Sequence, residues 1–258
     1  MSEYIEKQTG KIAIITGGSR GIGRNTLLCL AKRGVTSIFT YKSNRGEADQ
    51  VVALAAKAGA KAIALHLDVG NAQSFAAFAK DVQIALAELG ADRFDYLVNN
   101  AGTSSNSSFA QTTEAELDSL FAVHFKGAFL LTQTLVPLMN DGGRIINISS
   151  GLARFAMPNR AAYGSIKAAV ESLTRYMAVE LASRRISANV VAPGAIATDF
   201  SGGIVRDNPE VNKAVASHTA LGRAGEPQDV GPVIAGLLSD EFGWVNAQRI
   251  EVAGGVHI

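Results

Sequence analysis

The chain has little of what cross-links proteins or binds metals. Among its 258 residues there are one cysteine, Cys29, and four histidines. No disulfide can therefore form within the chain, and with no second cysteine the sequence predicts no metal site. Cys29 lies in the apolar run 27–30, where we expect it to be a small buried hydrophobic residue.

An excess of one charge and a long apolar run are also missing. The chain has 24 basic and 23 acidic residues and a net charge of +1, which excludes a general attraction to nucleic acid or acidic membranes. No apolar run approaches the ~20 residues that span a bilayer, and residues 1–10 are polar and acidic, unlike a signal peptide. We expect a soluble cytoplasmic protein that binds neither nucleic acid nor membrane.

What the chain has is the pattern of a large α/β core, with 47% apolar and 18% charged residues. Runs that are apolar on both faces and alternate with helices predict a parallel sheet covered on both sides. We predict one doubly wound domain over residues 1–258, a Rossmann fold with a seven-stranded, mostly parallel sheet, helices on both faces and a polar extension at 1–10. The predicted strands are 11–16, 35–41, 62–67, 94–98, 144–149, 187–191 and 249–252, and the predicted helices are 21–32, 46–58, 72–89, 114–139 and 160–182.

A glycine-rich turn joins the first predicted strand to the first helix. It reads Thr16-Gly17-Gly18-Ser19-Arg20-Gly21-Ile22-Gly23. Glycines allow a tight turn and a close approach of the backbone to a pyrophosphate, and the helix N-terminus supplies amide donors. The position between strand and helix predicts a dinucleotide site, although the spacing is G-x-x-x-G-x-G and not G-x-G-x-x-G.

Tyr163 and Lys167 form a candidate acid/base pair. They lie four residues apart in the predicted helix 160–182, which places them one turn apart on one face. A lysine cation beside a tyrosine favours the phenolate and lowers a pKa that is ordinarily about 10. Such a pair can work near neutral pH. By itself the spacing equally fits a packed tyrosine beside a solvated lysine.

Taken together, the motifs resemble the short-chain dehydrogenase/reductase family in its single-domain form. Thr16 to Gly23 resembles that family's T-G-x-x-x-G-I-G, and Asn99-Asn100-Ala101-Gly102 resembles its N-N-A-G. Ser149-Ser150 followed by Tyr163 and Lys167 resembles its Ser…Tyr-x-x-x-Lys set. Pro193-Gly194 with Thr198 resembles its P-G-x-x-x-T segment, so the resemblance spans about residues 11–255.

The resemblance implies a hydride transfer at a nicotinamide. Tyr163 would move the proton at the substrate oxygen, and Lys167 would bind the nicotinamide ribose and lower the pKa of Tyr163. Ser150 precedes Tyr163 by thirteen positions, the family's common spacing, so it would hold the substrate oxygen. Ser149 would lie on the opposite side of the strand end, because side chains alternate there.

The resemblance also assigns the cofactor contacts to the glycine turn, the ends of the second and third strands, the N-N-A-G segment, the catalytic pair and the Pro-Gly loop. The assigned residues are Gly17, Ser19, Arg20, Gly21, Ile22, Gly23, Tyr41, Lys42, Ser43, Asp68, Val69, Asn99, Ala101, Gly102, Tyr163, Lys167, Pro193, Gly194, Ile196 and Thr198.

NADP(H) is the cofactor that we predict. Members that use NAD carry an acid at the end of the second strand, which binds the ribose hydroxyls and repels a phosphate. Here that end carries Lys42 and no acid. Arg20 and Lys42 would bind the 2′-phosphate, and Arg45 would either join them or remain a solvated loop charge.

His124 departs from the family pattern. It stands in the run 121–127, where the family presents an asparagine that anchors a proton-relay water. One interpretation is a core histidine with a satisfied hydrogen bond. The other is that His124 fills the relay role, since imidazole can donate and accept. In that case activity should titrate near the histidine pKa.

The expected substrate is a small-molecule ketone, aldehyde or alcohol of moderate apolar character. The segment 199–220 resembles a mobile lid, and Leu152, Phe155 and Met157 are candidates for an apolar wall. Arg154 would attract a carboxylate or stay solvated. An acyl-carrier-protein substrate is less favoured because the turn 139–143 lacks basic residues, although Arg144, Arg184 and Arg185 lie nearby.

Two other classes remain open: a cofactor-binding regulator or scaffold without catalysis, and a sugar-nucleotide epimerase or dehydratase. The regulator would be expected to lose Ser150, Tyr163 or Lys167, and the epimerase usually has another glycine spacing. Apolar helices at 117–138 and 161–181 would suit the homo-tetramer that is common in the family.

Overall fold

The computed structural model describes residues 7–258, so residues 1–6 of the predicted N-terminal extension lie outside the described residues. All strands belong to one parallel sheet in the order β3-β2-β1-β4-β5-β6-β7. They are β1 Ile12–Ile15, β2 Thr36–Tyr41, β3 Ala62–His66, β4 Phe94–Asn99, β5 Met139–Ile148, β6 Ser187–Pro193 and β7 Arg249–Val252. The predicted doubly wound Rossmann fold is confirmed.

Helices cover both faces of this sheet. They are α1 Gly21–Lys32, α2 Arg45–Lys57, α3 Phe75–Glu88, α4 Glu114–Phe121, α5 Gly127–Leu135, α6 Ala161–Glu180, α7 Ile204–Asp207, α8 Pro209–Ser217 and α9 Pro227–Leu237. The predicted helix 114–139 is interrupted, because a π turn at Ala122–Lys126 separates α4 from α5 and a short 3-10 turn follows at Val136–Leu138.

The core consists of two apolar layers, one on each side of the sheet. On one side α3, α5 and α6 pack with residues such as Leu86, Leu135 and Met177. On the other side α1, α2 and α9 pack with residues such as Leu27 and Ile234. Cys29 is only half-buried at the edge of the second layer, since it lies on the flank of α1 and not on the buried face.

By length and composition, one helical stretch within residues 7–258, Glu114–Leu138, is apolar enough to cross a membrane. The sequence did not reveal such a run because charged residues interrupt it. The stretch comprises α4, the π turn and α5, and it packs against α3 and α6. Its outer face exposes Leu117, Phe121 and Phe129, so it is apolar on both faces, which is typical of a helix that contacts another helix.

Candidate active site

The predicted site residues gather at the carboxyl-terminal edge of the sheet. There β1 lies between β2 and β4, so the chain runs outward to β3 on one side and returns to β4 on the other. In open α/β sheets, ligands bind outside the strand ends at the point where the strand order reverses. The topology therefore places the glycine turn, the N-N-A-G segment and the end of β5 side by side.

The glycine turn needs glycine at two positions in particular. Gly17 has a φ of +65°, and a Cβ there would lie 3.0 Å from Cα of Ala101. A Cβ on Gly23 would collide with the carbonyl oxygen of Gly17. Larger residues would push the turn away from α1, so these glycines keep bare backbone at the start of the helix.

The N-terminus of α1 is open to an anion. The helix begins at Gly21 after Arg20, with no side chain capping it and no acidic residue in its first turn. The first amides of a helix have no partner within the helix, and the helix dipole favours a negative charge beside them. The start of α1 therefore has the chemistry of a phosphate site.

Two side chains that the sequence did not single out as site residues hold this turn. Thr40 Oγ1 accepts a hydrogen bond from the Gly17 amide at 3.0 Å. Asn100 Nδ2 donates to the carbonyl oxygens of Thr16, at 2.9 Å, and Gly17, at 3.0 Å. The N-N-A-G motif contains Asn100 and was the available signal for it, whereas nothing in the sequence pointed to Thr40.

At the ends of β2 and β3, the residues predicted to meet the adenosine half of the cofactor pair with one another. Lys42 Nζ lies 2.7 Å from Asp68 Oδ2, and this hydrogen bond holds the pKa of Asp68 below its usual value. Arg45 pairs with Asp49 at 2.8 Å and lies over the Tyr41 ring, so this exposed arginine already has partners within α2 and β2. Arg20 is exposed and enters no ion pair found within residues 7–258.

One predicted cofactor residue has its side chain in the core. Asn99 Nδ2 donates to Thr132 Oγ1 at 2.9 Å and to Asn147 Oδ1 at 2.8 Å. These bonds engage the Asn99 side chain within the chain, so the predicted contact of Asn99 with the cofactor stays a prediction. Ala101 does lie at the site, and its amide donates to Thr16 Oγ1 at 3.0 Å.

The Pro-Gly loop lies close to the phosphate turn. A Cβ on Gly21 would lie 3.5 Å from the Thr198 side chain, and Gly194 packs against the backbone of Ala253. Ile196 forms an isolated bridge with Gly225. The remaining predicted contacts differ in exposure: Ser19 is buried, Ile22 and Val69 are half-buried, and Ser43 is exposed.

The two serines after β5 have different surroundings. Ser149 Oγ donates to Glu171 Oε1 at 2.7 Å, and Glu171 in turn pairs with Arg249 at 2.8 Å. Ser149 therefore belongs to a polar network behind the strand. Ser150 shares a side-chain hydrogen bond with Tyr163, so it is the serine that lies beside the phenol.

Tyr163 and Lys167 are both buried on α6. Lys167 Nζ donates to the carbonyl oxygen of Ile148 at 2.7 Å and lies 5.7 Å from the centre of the Tyr163 ring. Burial lowers the pKa of Lys167 to about 7. Burial raises the pKa of Tyr163 to about 12, against the opposing effects of the Ser150 hydrogen bond and the Arg160 charge.

This differs from the expectation that Lys167 lowers the pKa of Tyr163. Lys167 is only partly protonated at neutral pH, because burial desolvates its ammonium. The cation that acts on the phenol is Arg160, one helical turn before Tyr163. Sequence reasoning did not single out Arg160.

His124 lies in the π turn and is buried; π turns occur frequently at functional sites. Its Nε2 lies 2.7 Å from the carbonyl oxygen of Thr103 and 3.2 Å from the Thr103 amide nitrogen. The shorter contact, to the carbonyl, is a hydrogen bond when Nε2 carries the proton, and Nδ1 is then an acceptor. The ring meets Tyr163 edge to face with centroids 5.4 Å apart. Nδ1 is buried and has no hydrogen-bond partner within the described residues.

The charge state of His124 bears on one expectation. Burial, helped by the charge of Lys167, lowers the pKa of His124 to about 3. At this pKa the imidazole is neutral at physiological pH, which argues against a titration of activity near the ordinary histidine pKa. A cavity of about 10 Å³ lies between His124, Lys167, Asn99 and Thr16, which is room for about one water molecule.

The substrate side is bordered by the segment that resembled a lid. It contains α7 and α8, and its Phe200 ring lies 6.2 Å from the Tyr163 ring. Of the predicted wall, Leu152 packs beside Tyr163, Phe155 contacts the His257 ring at a tilt and Met157 is half-exposed.

Arg154, predicted to be solvated or to attract a carboxylate, has partners within the chain. Its guanidinium pairs with Glu251 at 2.9 Å and donates to the carbonyl oxygens of Val256 and His257 at 3.0 and 3.1 Å. It therefore fastens the C-terminal residues beside the wall at 151–158, and the alternative of a solvated arginine is wrong.

Comparison with known proteins agrees with this architecture. A family model described as enoyl-(acyl carrier protein) reductase matches residues 17–257. The tetrahydroxynaphthalene reductase PfmaG of Pestalotiopsis fici is 37% identical over 257 residues, covering 95% of this chain and 91% of that protein.

Two solved structures share the fold closely. The first is LugOII, described as a promiscuous reductase that catalyses keto-reduction at C1 during lugdunomycin biosynthesis; its TM-score is 0.93 at 39% identity, covering 98% of this chain and 100% of that chain. The second is the angucycline C-6 ketoreductase LanV with bound NADP, with a TM-score of 0.92 at 33% identity, covering 97% and 96%. The chain belongs to the short-chain dehydrogenase/reductase family of oxidoreductases, as its motifs predicted.

Proposed function

We propose that the protein is an NADP(H)-dependent alcohol dehydrogenase/carbonyl reductase acting on a small or moderately apolar ketone, aldehyde or alcohol. The observation that carries this proposal is the group formed by Ser150, Tyr163 and Lys167. The Tyr163 phenol bonds to Ser150 and lies beside Lys167, at the sheet edge where the phosphate turn opens. A positioned acid and a nucleotide site at one edge are what a carbonyl reduction needs.

The residues present fit a nicotinamide dinucleotide. The bare backbone of Gly17 and Gly23 and the uncapped start of α1 would hold the pyrophosphate. Lys167 would bind the nicotinamide ribose, while Pro193, Gly194, Ile196 and Thr198 would border the carboxamide. When bound, the cofactor supplies or accepts the hydride.

The chain's own residues would handle the proton. Ser150 holds the substrate oxygen, and Tyr163 donates its phenolic proton to that oxygen as negative charge develops there. A pKa of about 12 for Tyr163 keeps the phenol protonated at neutral pH, which suits the reductive direction. In the oxidative direction Tyr163 would have to act as the base, and the Arg160 charge would favour its phenolate.

The proposed preference for NADP(H) is supported by the basic residue, Lys42, that follows β2 where an acid would favour NAD. Arg20 and Lys42 flank the place where the 2′-phosphate would lie, and an arginine fork suits a phosphate. LanV, a structural relative, binds NADP. To bind the phosphate, Lys42 would have to leave its ion pair with Asp68. The loss of that pair would cost little free energy, because exposed ion pairs contribute about 0–1 kcal/mol.

We propose that neutral His124 takes the place of the family's relay asparagine. Its Nδ1 is an unpaired acceptor, and the one-water cavity between it and Lys167 offers a path for a proton toward Lys167 and Tyr163. In this role the imidazole accepts a hydrogen bond and does not ionise.

Two alternatives are less well supported. A carrier-protein substrate would need a basic docking patch, but Arg184 pairs with Asp141 at 2.8 Å and Arg144 is buried and pairs with Asp240 at 2.8 Å. A silent regulator would not need Ser150 beside Tyr163. For assembly we propose a homo-tetramer, in which the exposed Leu117, Phe121 and Phe129 of the stretch 114–138 meet their copies.

The test is depletion of NADPH over a panel of ketones and aldehydes, with cofactor binding measured by calorimetry on the same preparation. Turnover of any panel member supports an oxidoreductase of this type. Tight NADPH binding with no turnover over the whole panel would support the regulator and contradict the proposal.

A further inference from the structure

Arg160 starts the helix that carries the candidate catalytic pair. Its carbonyl oxygen accepts from the Gly164 amide at 2.8 Å, which begins the first turn of α6. Its side chain is half-buried and donates from Nη1 to the carbonyl oxygen of Ser105, in the loop after β4. The guanidinium therefore spans the gap between α6 and that loop.

Among residues 7–258, no carboxylate neutralises this guanidinium. None of the ion pairs found in the described part of the chain includes Arg160. Arg154 and Arg249, by contrast, are both paired with the carboxylate of Glu251. Arginine has five N–H donors in a fork that matches an anionic oxygen pair, and one hydrogen bond to a carbonyl leaves most of that fork free.

The surroundings of Arg160 border the reacting position. Its charge acts on the Tyr163 phenol and partly offsets the burial that raises the phenol pKa. The loop that it contacts also carries Ser104, which accepts a hydrogen bond from Ser201 at 2.8 Å. Phe200, beside Ser201, faces the Tyr163 ring. The phenol therefore has an apolar ring near it and is also acted on by the charge of Arg160.

We propose that Arg160 is a substrate-binding residue for a second, anionic oxygen, either a carboxylate or an ionised phenol, on a molecule whose carbonyl reacts at Tyr163. This inference rests on the proposed carbonyl reductase function. A half-buried cation without a counter-charge gains most from an anion that displaces water beside it. The preferred substrates would be oxo acids or oxo phenols.

Two matched pairs of compounds test this. One is meta-acetylbenzoate with its methyl ester, and the other is a nitro-substituted hydroxyacetophenone, ionised at neutral pH, with its methyl ether. The wild type should show the higher kcat/KM on the anionic member of one pair. Arg160→Gln should lower that preference about tenfold or more, because a hydrogen bond to a charged group is lost, and Arg160→Lys should keep part of it.

A purely structural role for Arg160 gives a different result. If Arg160 only ties α6 to the loop, Arg160→Gln will slow both members of a pair by the same factor, and the proposal is overturned. Arg185→Gln is the matched control, since Arg185 is exposed just before β6 at the opposite end of the sheet, and it should leave the preference unchanged.

Calorimetry separates failure of the inference from failure of the proposed function. Meta-acetylbenzoate is titrated into the wild type and Arg160→Gln, each saturated with NADP⁺. If no ketone is reduced, the proposed function fails, and weaker binding to Arg160→Gln still supports the anion site. Equal binding to both proteins, or none to either, contradicts the anion site even if neutral ketones are reduced.

Discussion

Nζ of Lys167 donates a hydrogen bond to the carbonyl oxygen of Ile148 at 2.7 Å. Ile148 is the last residue of β5 and Lys167 lies in the second turn of α6, so the bond ties the helix that carries Tyr163 to the strand that ends beside Ser150. The same burial that makes the bond possible lowers the pKa of Lys167 to about 7. The buried position that lets Lys167 reach the Ile148 carbonyl is thus also the cause of its lowered pKa.

Lys167→Met should abolish turnover and change how stability depends on pH. In the wild type the folded-state pKa of Lys167, about 7, lies below its ordinary 10.5, so the unfolded chain binds more protons between these values. Stability from this group is therefore lowest below pH 7 and rises toward pH 10.5, by about 1.4 kcal/mol per pH unit while one proton differs. Urea unfolding from pH 6 to 10 should lack this rise in Lys167→Met; an identical pH dependence would contradict a buried lysine.

Ser150→Ala should lower the catalytic rate and spare stability, whereas Ser149→Ala should lower stability and spare the rate. Losing the donor to the substrate oxygen should lower kcat about a hundredfold in Ser150→Ala, with little change in the free energy of unfolding. Ser149→Ala removes a partner of Glu171 and should cost about 1–3 kcal/mol of stability while leaving the chemistry largely intact. Steady-state kinetics and denaturant melts on both variants check this, and a rate loss in Ser149→Ala with none in Ser150→Ala would reverse the assignment.

His124→Asn should keep most of the activity and become less sensitive to acid. The folded-state pKa of His124, about 3, lies below its ordinary 6.5, so its contribution to stability is complete above pH 6.5 and is lost as pH falls toward 3. The asparagine variant should lack this loss, about 1.4 kcal/mol per pH unit at its steepest. The kcat profile of the wild type should show no titration near pH 6.5 from this group. If a step there disappears in His124→Asn, the neutral imidazole is refuted.

Arg20→Gln and Lys42→Gln should each weaken NADPH binding about tenfold, because each removes a charged contact to the 2′-phosphate. NADH, which lacks that phosphate, should bind about as before. Arg45→Gln is the control, since Arg45 is engaged by Asp49 and Tyr41 and should change neither affinity. Fluorescence titration of both cofactors checks the prediction, and a loss of NADH affinity equal to that of NADPH would count against it.

Much of this arrangement could be predicted from local rules. A strand, a glycine turn and a helix predict a phosphate site wherever they occur together, and the spacing of Tyr163 and Lys167 fixes their common helix face. The helix α9 escaped prediction because Pro227 and Pro232 resemble loop residues, although Pro227 only starts the helix.

Long-range contacts account for the other misses. The pairing of Lys42 with Asp68 joins two strand ends that are 26 positions apart, and the direction of the Asn99 side chain depends on Thr132 and Asn147 in other elements. The pKa values of Tyr163, Lys167 and His124 depend on burial, which a motif does not encode. The proposed role of Arg160 likewise depends on a long-range contact, its hydrogen bond to Ser105 in the loop after β4.

The most direct test of the central claim, that Tyr163 is the acid/base of a nicotinamide reductase, compares NADPH oxidation by the wild type and Tyr163→Phe on the best ketone of the panel. The phenylalanine variant should bind NADPH with unchanged affinity, because the ring remains and the phosphate turn is untouched, while kcat falls about a hundredfold or more. A Tyr163→Phe enzyme that reduces the ketone at the wild-type rate would contradict the account.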